Sequence, residues 1–454
     1  MRSRWVLWTA GVAAVLIVAA GIAWVAVQRS STQADAGTSG EVKTDPGGAS
    51  TSASASASAS PSVVPCTVQD LVLGGLLPQT GDLAFLGPAG ASAIDLALAE
   101  IDSAGGVLGY PVTYLVGDSG DAETGLAAQV VASQISRGAQ AIVGPFASAV
   151  TVGVIDETIE AGVVLISPAN TSPGLSDYPD EGLYFRTVPS DVAQGSALAT
   201  VAEGLGLDSG ATIARRDAYG LGIQGAFEDV FTAGGGVVTT SLAYDPAVSS
   251  FARVVEEIAA TDPEFVLVAS FGEASSLLRE MTRQGIGPQD VQVLLAEGSV
   301  SSTGYVDLPE DAMAGVLGAV PTSDPSVNSR TFNKRLLEQS PELTTFAYAA
   351  QAYDATILVA LAAEYAGCAE GRAIAEALPK VANANPGSRR CVTYGDCLGV
   401  IASGGQPNYD GVSGLRDFNE FGDAARASIE IVRYVSNSKF RPVEVIGPFD
   451  VPVP

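Results

Sequence analysis

From residue 66 to about residue 366 the chain alternates short apolar runs with longer segments whose apolar residues recur at helical spacing. Val68–Leu73 and Val112–Val116 read as strands. Between them Ile94, Ala97, Leu98 and Ile101 mark one face of a helix that Ala104-Gly-Gly106 ends. A helix from about Ala122 to Ser136 follows, then strands at Ala141–Val143 and Val163–Ile166. After Arg186 the pattern resumes, with strands at Ala211–Ala214, Val237–Leu242, Phe265–Ala269, Val291–Leu295 and Met313–Val320. Helices are expected at Tyr219–Thr232, Phe251–Ala260, Ala274–Gln284, Ser329–Gln339 and Phe346–Ala366. Strands regularly separated by helices predict an α/β fold of doubly wound parallel sheets. About ten strands exceed one such unit, so two lobes are expected.

The stretch from Ala141 to Leu175 carries the densest chemistry. Its two strands end in small and hydroxyl-bearing residues, Pro145-Phe-Ala-Ser148 and Ser167-Pro-Ala-Asn-Thr171. In a parallel sheet such turns lie side by side at the carboxyl ends of neighbouring strands, where α/β proteins bind small molecules. The plainer reading makes Ser148 a helix N-cap and Thr171 a turn residue.

The amino terminus follows a different pattern. Arg2 and Arg4 precede an apolar run from Trp5 to Val27, roughly 35 Å long as a helix and sufficient to cross a bilayer. The leading basic residues place residues 1–4 in the cytoplasm and the rest outside. The length favours an uncleaved signal anchor, residues 5–27, over a cleaved signal peptide. Residues 28–65 are Ser, Ala, Thr, Gly and Pro for the most part, including Ser52-Ala-Ser-Ala-Ser-Ala-Ser-Ala-Ser60, and read as a disordered tether. All four cysteines lie beyond it, on the external side, where disulfides form. Cys391 and Cys397 flank a short turn-like segment and are expected to pair, leaving Cys66 with Cys368.

Charge and composition narrow the chemistry. The chain has 50 acidic and 23 basic residues, a net charge of −27, which disfavours nucleic acid and anionic membranes as partners. It has no histidine, which removes Ser-His-Asp catalysis and imidazole metal sites. No phosphate-loop motif occurs, and Gly220-Leu-Gly222 lacks the third glycine of a dinucleotide fingerprint. No catalytic set, metal site or cofactor is expected. Asp118 and Asp121 read as turn-capping acids.

Several short motifs in a fixed order then point to a family. They are Gly75-Leu-Leu-Pro-Gln-Thr-Gly81, Ala99-Glu-Ile-Asp-Ser-Ala-Gly-Gly106-Val-Leu-Gly109, Gly117-Asp-Ser-Gly-Asp121, Phe185-Arg-Thr-Val-Pro-Ser-Asp191 with Gln194-Gly195, Tyr409-Asp-Gly411 with Ser413-Gly414, and Phe418 with Gly422-Asp423. Together they resemble the type I periplasmic binding proteins of the Leu/Ile/Val-binding branch, over roughly Val68 to Tyr434. The resemblance implies two lobes joined by a three-stranded hinge, residues 66–187 with 317–413 and residues 188–316 with 414–454. The crossings would lie near Thr187–Ser190, Gly315–Ala319 and Gly411–Gly414. It also implies a cleft that holds an amino acid. Its carboxylate would meet Ser148, Ala169 and Thr171, and its ammonium Glu297, with Tyr219 and Phe271 as the second lobe's aromatics. Phe85, Leu86 and Asn170 are weaker ligand candidates, Asn170 reading better as a turn cap. Phenylalanine at 271 keeps a ring face for a cation but has no hydroxyl.

The function implied is that of an extracytoplasmic receptor delivering a small, branched-chain or other aliphatic amino acid to ABC permease subunits by hinge closure. It would be a monomer tethered to the cell surface, or secreted if the signal is cleaved. The rival reading is an extracellular amino acid or amide sensor that signals through a separate protein. An enzyme using Glu297 with Tyr219 as an acid/base pair lacks a nucleophile, metal or cofactor.

Overall fold

A computed structural model describes residues 66–301, 304–322, 329–414 and 417–452. The expected anchor and tether lie outside the described residues. Among the described residues no helix is long and apolar enough to cross a membrane.

The first sheet contains β1 (Val72–Leu77), β2 (Thr113–Asp118), β3 (Ala141–Val143), β4 (Val164–Ser167) and β5 (Tyr184–Arg186), ordered β2-β1-β3-β4-β5 and parallel throughout. The second contains β6 (Ser209–Arg215), β7 (Val237–Tyr244), β8 (Phe265–Ala269), β9 (Gln292–Leu295) and β10 (Leu317–Pro321). β11 (Arg389–Cys391) and β12 (Pro407–Tyr409) form a separate parallel pair. β13 (Arg426–Ser436) and β14 (Lys439–Asp450) complete the second sheet as an antiparallel hairpin, giving the order β14-β13-β10-β9-β8-β6-β7. The first five strands of each sheet therefore share one order, with the switch in winding direction between the first and third. At such a switch the loops leaving the carboxyl ends part and open a crevice.

Strands β3, β4 and β8 are buried along their whole length, because helices cover both faces of a parallel sheet. In the second sheet Phe227 and Phe231 of the helix Ala218–Ala233 pack on Phe265 of β8, with ring centroids 5.8 and 5.2 Å away. The helix Ala349–Ala366 is buried over most of its surface, which explains its nearly continuous apolar sequence.

Several boundaries differ from the sequence reading. β1 begins at Val72 rather than Val68, and the expected helix from Ala122 becomes a short turn, Ala122–Thr124, followed by Leu126–Ser136. Gly125, in the left-handed region at φ 63°, separates the two. The second sheet is mixed rather than wholly parallel, since β13 and β14 run antiparallel. Residues 317–321, grouped with the first lobe above, hydrogen-bond between β9 and β13 in the second sheet. An apolar run carries no record of which sheet it joins. Cys66 is bonded to Cys368 and Cys391 to Cys397.

Candidate functional site

The loops leaving the first, third and fourth strands of both sheets meet around one cavity of about 520 Å³. After β1 come Phe85 and Leu86, after β3 Ser148, and after β4 Ala169 and Thr171. The second sheet contributes Tyr219 after β6, Phe271 after β8 and Glu297 after β9. Eight of the nine expected ligand residues thus line the same space. A larger cavity of about 710 Å³ lies beside β5 and contains none of them. It is a groove at the sheet's outer edge, away from the strand ends where the two windings part.

Asn170 is absent from the lining because its side chain is committed elsewhere. Its Nδ2 donates to the Phe146 carbonyl at 2.8 Å, and its Oδ1 accepts from Thr151 Oγ1 at 2.5 Å and Tyr184 Oη at 3.2 Å. It ties the loop after β4 to the loop after β3. Ser148 opens the short helix Ser148–Val152, with Ala147 rather than Ser148 at the cap position. Its hydroxyl accepts a 3.4 Å bond from Ser172 N.

The loop carrying Ala169 and Thr171 rests on a fully buried ion pair. Arg186 Nε lies 2.6 Å from Asp423 Oδ1, while its Nη1 donates to the Ser172 carbonyl at 2.8 Å and the Asn170 carbonyl at 3.3 Å. The Phe185-Arg186 and Gly422-Asp423 motifs are therefore two halves of one support. The Tyr409–Ser413 motif has a similar origin. It wraps the buried carboxylate of Asp354, which accepts from Tyr409 Oη and Ser413 N at 2.7 Å and from Val412 N at 3.0 Å. Asp118 likewise gathers Gln79 N, Thr80 N, Thr80 Oγ1 and Gly120 N, and Asp121 accepts from Asp82 N.

The electrostatics concentrate on Glu297. Gln194 donates to its carboxylate and accepts from its backbone N–H at 2.9 Å. Thr171 Oγ1 donates to Glu297 Oε1 at 3.4 Å, joining the loops of the two sheets. Burial raises the Glu297 carboxyl to about 7. Beside it lies Asp191, which the sequence reading missed as a site residue. Asp191 is fully buried, and its carboxyl is raised well above the ordinary range by burial and then by the negative charge of Glu297. Its Oδ1 accepts from Gln194 at 3.2 Å, and the Thr171 side chain opposes part of that rise. Two adjacent carboxylates out of water favour a cation between or against them. Its place at the first position of the helix Asp191–Gly204 suggested only a residue favoured by the helix dipole.

Tyr219 stacks on Phe271 at a centroid distance of 4.9 Å, and its hydroxyl accepts from Gly298 N at 3.1 Å. Arg215 lies over the Phe271 ring, 3.9 Å from its centroid. The ring face expected to meet a ligand's cation therefore carries a guanidinium of this chain. Arg215 is itself held by Asp217 at 2.5 Å and Glu273 at 3.0 Å, and reaches Asp82 at 3.5 Å across from β1. Tyr348 is a second lining residue that sequence reasoning missed. It sits at φ 60° just before the helix Ala349–Ala366, with its ring edge-on to Phe146 at 6.2 Å.

Among the described residues one cluster has cation-ligand spacing, Cys66, Cys368 and Glu370, and its sulfurs are already joined to each other. The cavity instead sets hydroxyls on one wall against the partly buried Glu297 carboxylate on the other, at the mouths of two sheets whose first five strands share one order. That combination of fold and site defines a solute-binding protein.

The chain belongs to the periplasmic binding protein family, whose model matches residues 70–394. It is 26% identical over 359 residues to BasB, the chemotactic signal transduction system substrate-binding protein of Halobacterium salinarum, covering 77% of this chain and 83% of that one. It is 27% identical over 338 residues to the Leu/Ile/Val-binding protein BraC3 of Rhizobium johnstonii, covering 73% and 89%. Among solved structures, LivJ of Streptococcus pneumoniae, the substrate-binding protein of a branched-chain amino acid transporter in complex with isoleucine, superposes with a TM-score of 0.65. That match has 21% identity and covers 83% of this chain and 99% of that one.

Proposed function

We propose that this chain is the extracytoplasmic receptor of an ABC importer and binds an amino acid between its two lobes. The observation that carries the reading is the opposition of Ser148 and Thr171 to Glu297 around one cavity, with the buried Asp191 behind Glu297 and electrostatically coupled to it. Neutral hydroxyls and N–H groups suit a carboxylate, and the buried acids suit the ammonium that accompanies it. No bond needs to be made or broken. Binding favours the closed arrangement, and a permease that prefers that arrangement receives the ligand. The lobes would be those expected above, with residues 317–321 moved to the second.

The test is calorimetric titration of the purified full chain with the twenty amino acids and small amides. At least one should bind, and Ser148→Ala with Thr171→Ala should weaken it by about a hundredfold or more, at ~1.5–3 kcal/mol for each charge-assisted bond. Failure of every amino acid and amide to bind would sink the reading. A sensor role is the second reading, supported by the similarity to BasB. A soluble or membrane partner captured only in the liganded state, in cells that do not accumulate the ligand, would favour it over import.

A further inference from the structure

The cavity extends well past the clamp. At ~30 Å³ per water, its 520 Å³ is room for about seventeen, where an aliphatic amino acid supplies eight or nine heavy atoms. Besides the clamp residues, Phe146, Phe346 and Tyr348 line it, together with the polar Thr322, Gln351 and Glu430. Glu430 is the unexplained member. It is partly buried on β13, and among the described residues its carboxylate has no hydrogen-bond or ion-pair partner. Its register partners are Val320 and Val445, and its same-face strand neighbours are Ser428 and Val432, all uncharged. Burial alone raises its carboxyl.

The strand register locates it. β10 pairs Gly318 with Leu295 of β9, and Val320 with Glu430 of β13. Val320 lies two residues beyond Gly318 on β10, while β9 ends at Leu295 and Glu297 opens the turn that follows it. Glu430 therefore stands on β13, two strands or about 10 Å from β9 at ~4.8 Å per strand, and lines the same cavity as Glu297. An extended lysine separates its two nitrogens by about 7 Å, from bonds of about 1.5 Å, a length of the same order as that strand separation. The charges agree. The α-ammonium answers Glu297 and the α-carboxylate answers hydroxyls. Among the residues lining the cavity there is no lysine or arginine to answer Glu430.

We propose that the cavity selects an amino acid whose side chain ends in a positive charge, with Glu430 as the partner of that distal cation. This rests on the amino acid reading above and replaces an aliphatic ligand with a cationic one. Calorimetry on the full chain should compare lysine with norleucine and arginine with citrulline, each pair alike in shape and different in distal charge. Lysine and arginine should bind at least tenfold more tightly than their neutral counterparts, and Glu430→Gln should narrow both ratios to within about threefold. The ratios in the unmodified protein stand whether or not the variant folds. Equal or tighter binding of the neutral member overturns the proposal, as do ratios that survive Glu430→Gln. Binding of leucine without lysine or arginine also overturns it, while leaving the amino acid reading intact. Failure of every amino acid removes both.

Discussion

Glu297 and Asp191 carry the site's largest unbalanced cost, two acids held close together out of water. In the unfolded chain Glu297 titrates near 4.5, and in the ligand-free fold near 7. Between those values the fold keeps a proton that the unfolded chain has released, so this group lowers stability as pH rises from about 4.5 through about 7. The raised Asp191 acts in the same direction, and the two titrate as a pair. An ammonium in the cleft favours the ionised form. Affinity should therefore rise with pH through about 7, with proton release on binding that calorimetry in buffers of different ionisation enthalpy will detect. Glu297→Gln should flatten both the stability slope and the proton release. Glu297 was legible in the sequence as an acid directly after an apolar strand. Asp191 was not, because the helix-start position it occupies is ordinary for an aspartate, and only the packing of Gln194 and Glu297 against it makes it part of the site.

At the scale of elements, the helix Ala218–Ala233 supplies Tyr219 to the second wall of the cavity, and the helix Asp191–Gly204 braces that wall from behind through the bonds of Gln194 to Glu297. They touch at Gly195, where a Cβ would stand 2.6 Å from Ala226 C and 2.7 Å from Phe227 N. Backbone cannot yield as a side chain tip can. Gly195→Leu should therefore push the helices apart at a cost of about 1–3 kcal/mol or more, read as a lower urea midpoint, and ligand affinity should fall with it. The strands and helices that alternate were readable because each buries a continuous apolar run or face. β14 was missed for the opposite reason. β14 is exposed along most of its length, carries Pro442 and Pro448, and shows no apolar alternation. Those are the features of a protected sheet edge rather than of a core strand.

At the scale of the whole molecule, the structure holds the two walls together. Thr171 reaches Glu297, Arg215 reaches Asp82, and the helix Ala218–Ala233 meets the turn Pro173–Leu175. A Cβ at Gly222 in that helix would stand 2.7 Å from Pro173 Cδ and 3.2 Å from Ser172 Oγ. If ligand binding requires closure, Gly222→Leu should weaken binding at least tenfold. The ligand-free melting temperature should stay within about 2 °C, since a helical glycine costs only ~1 kcal/mol relative to alanine. Unchanged affinity would mean that the cleft binds without closing.

By itself the sequence determined the α/β class, the order of most elements, and the residue types at each strand end. Those follow from local rules, since burial imposes apolar periodicity and loops at carboxyl edges favour small and polar residues. Tertiary structure alone decided that β10 joins the second sheet, that Arg186 with Asp423 and Asp354 with Tyr409 brace the loops, and that Asn170 faces the interior. It also decided that Tyr348 and Glu430 stand at the cavity and that Asp191 lies buried behind Glu297. Each of those facts depends on which distant segments become neighbours, and a charge or hydroxyl acquires its role only from the groups that exclude water around it.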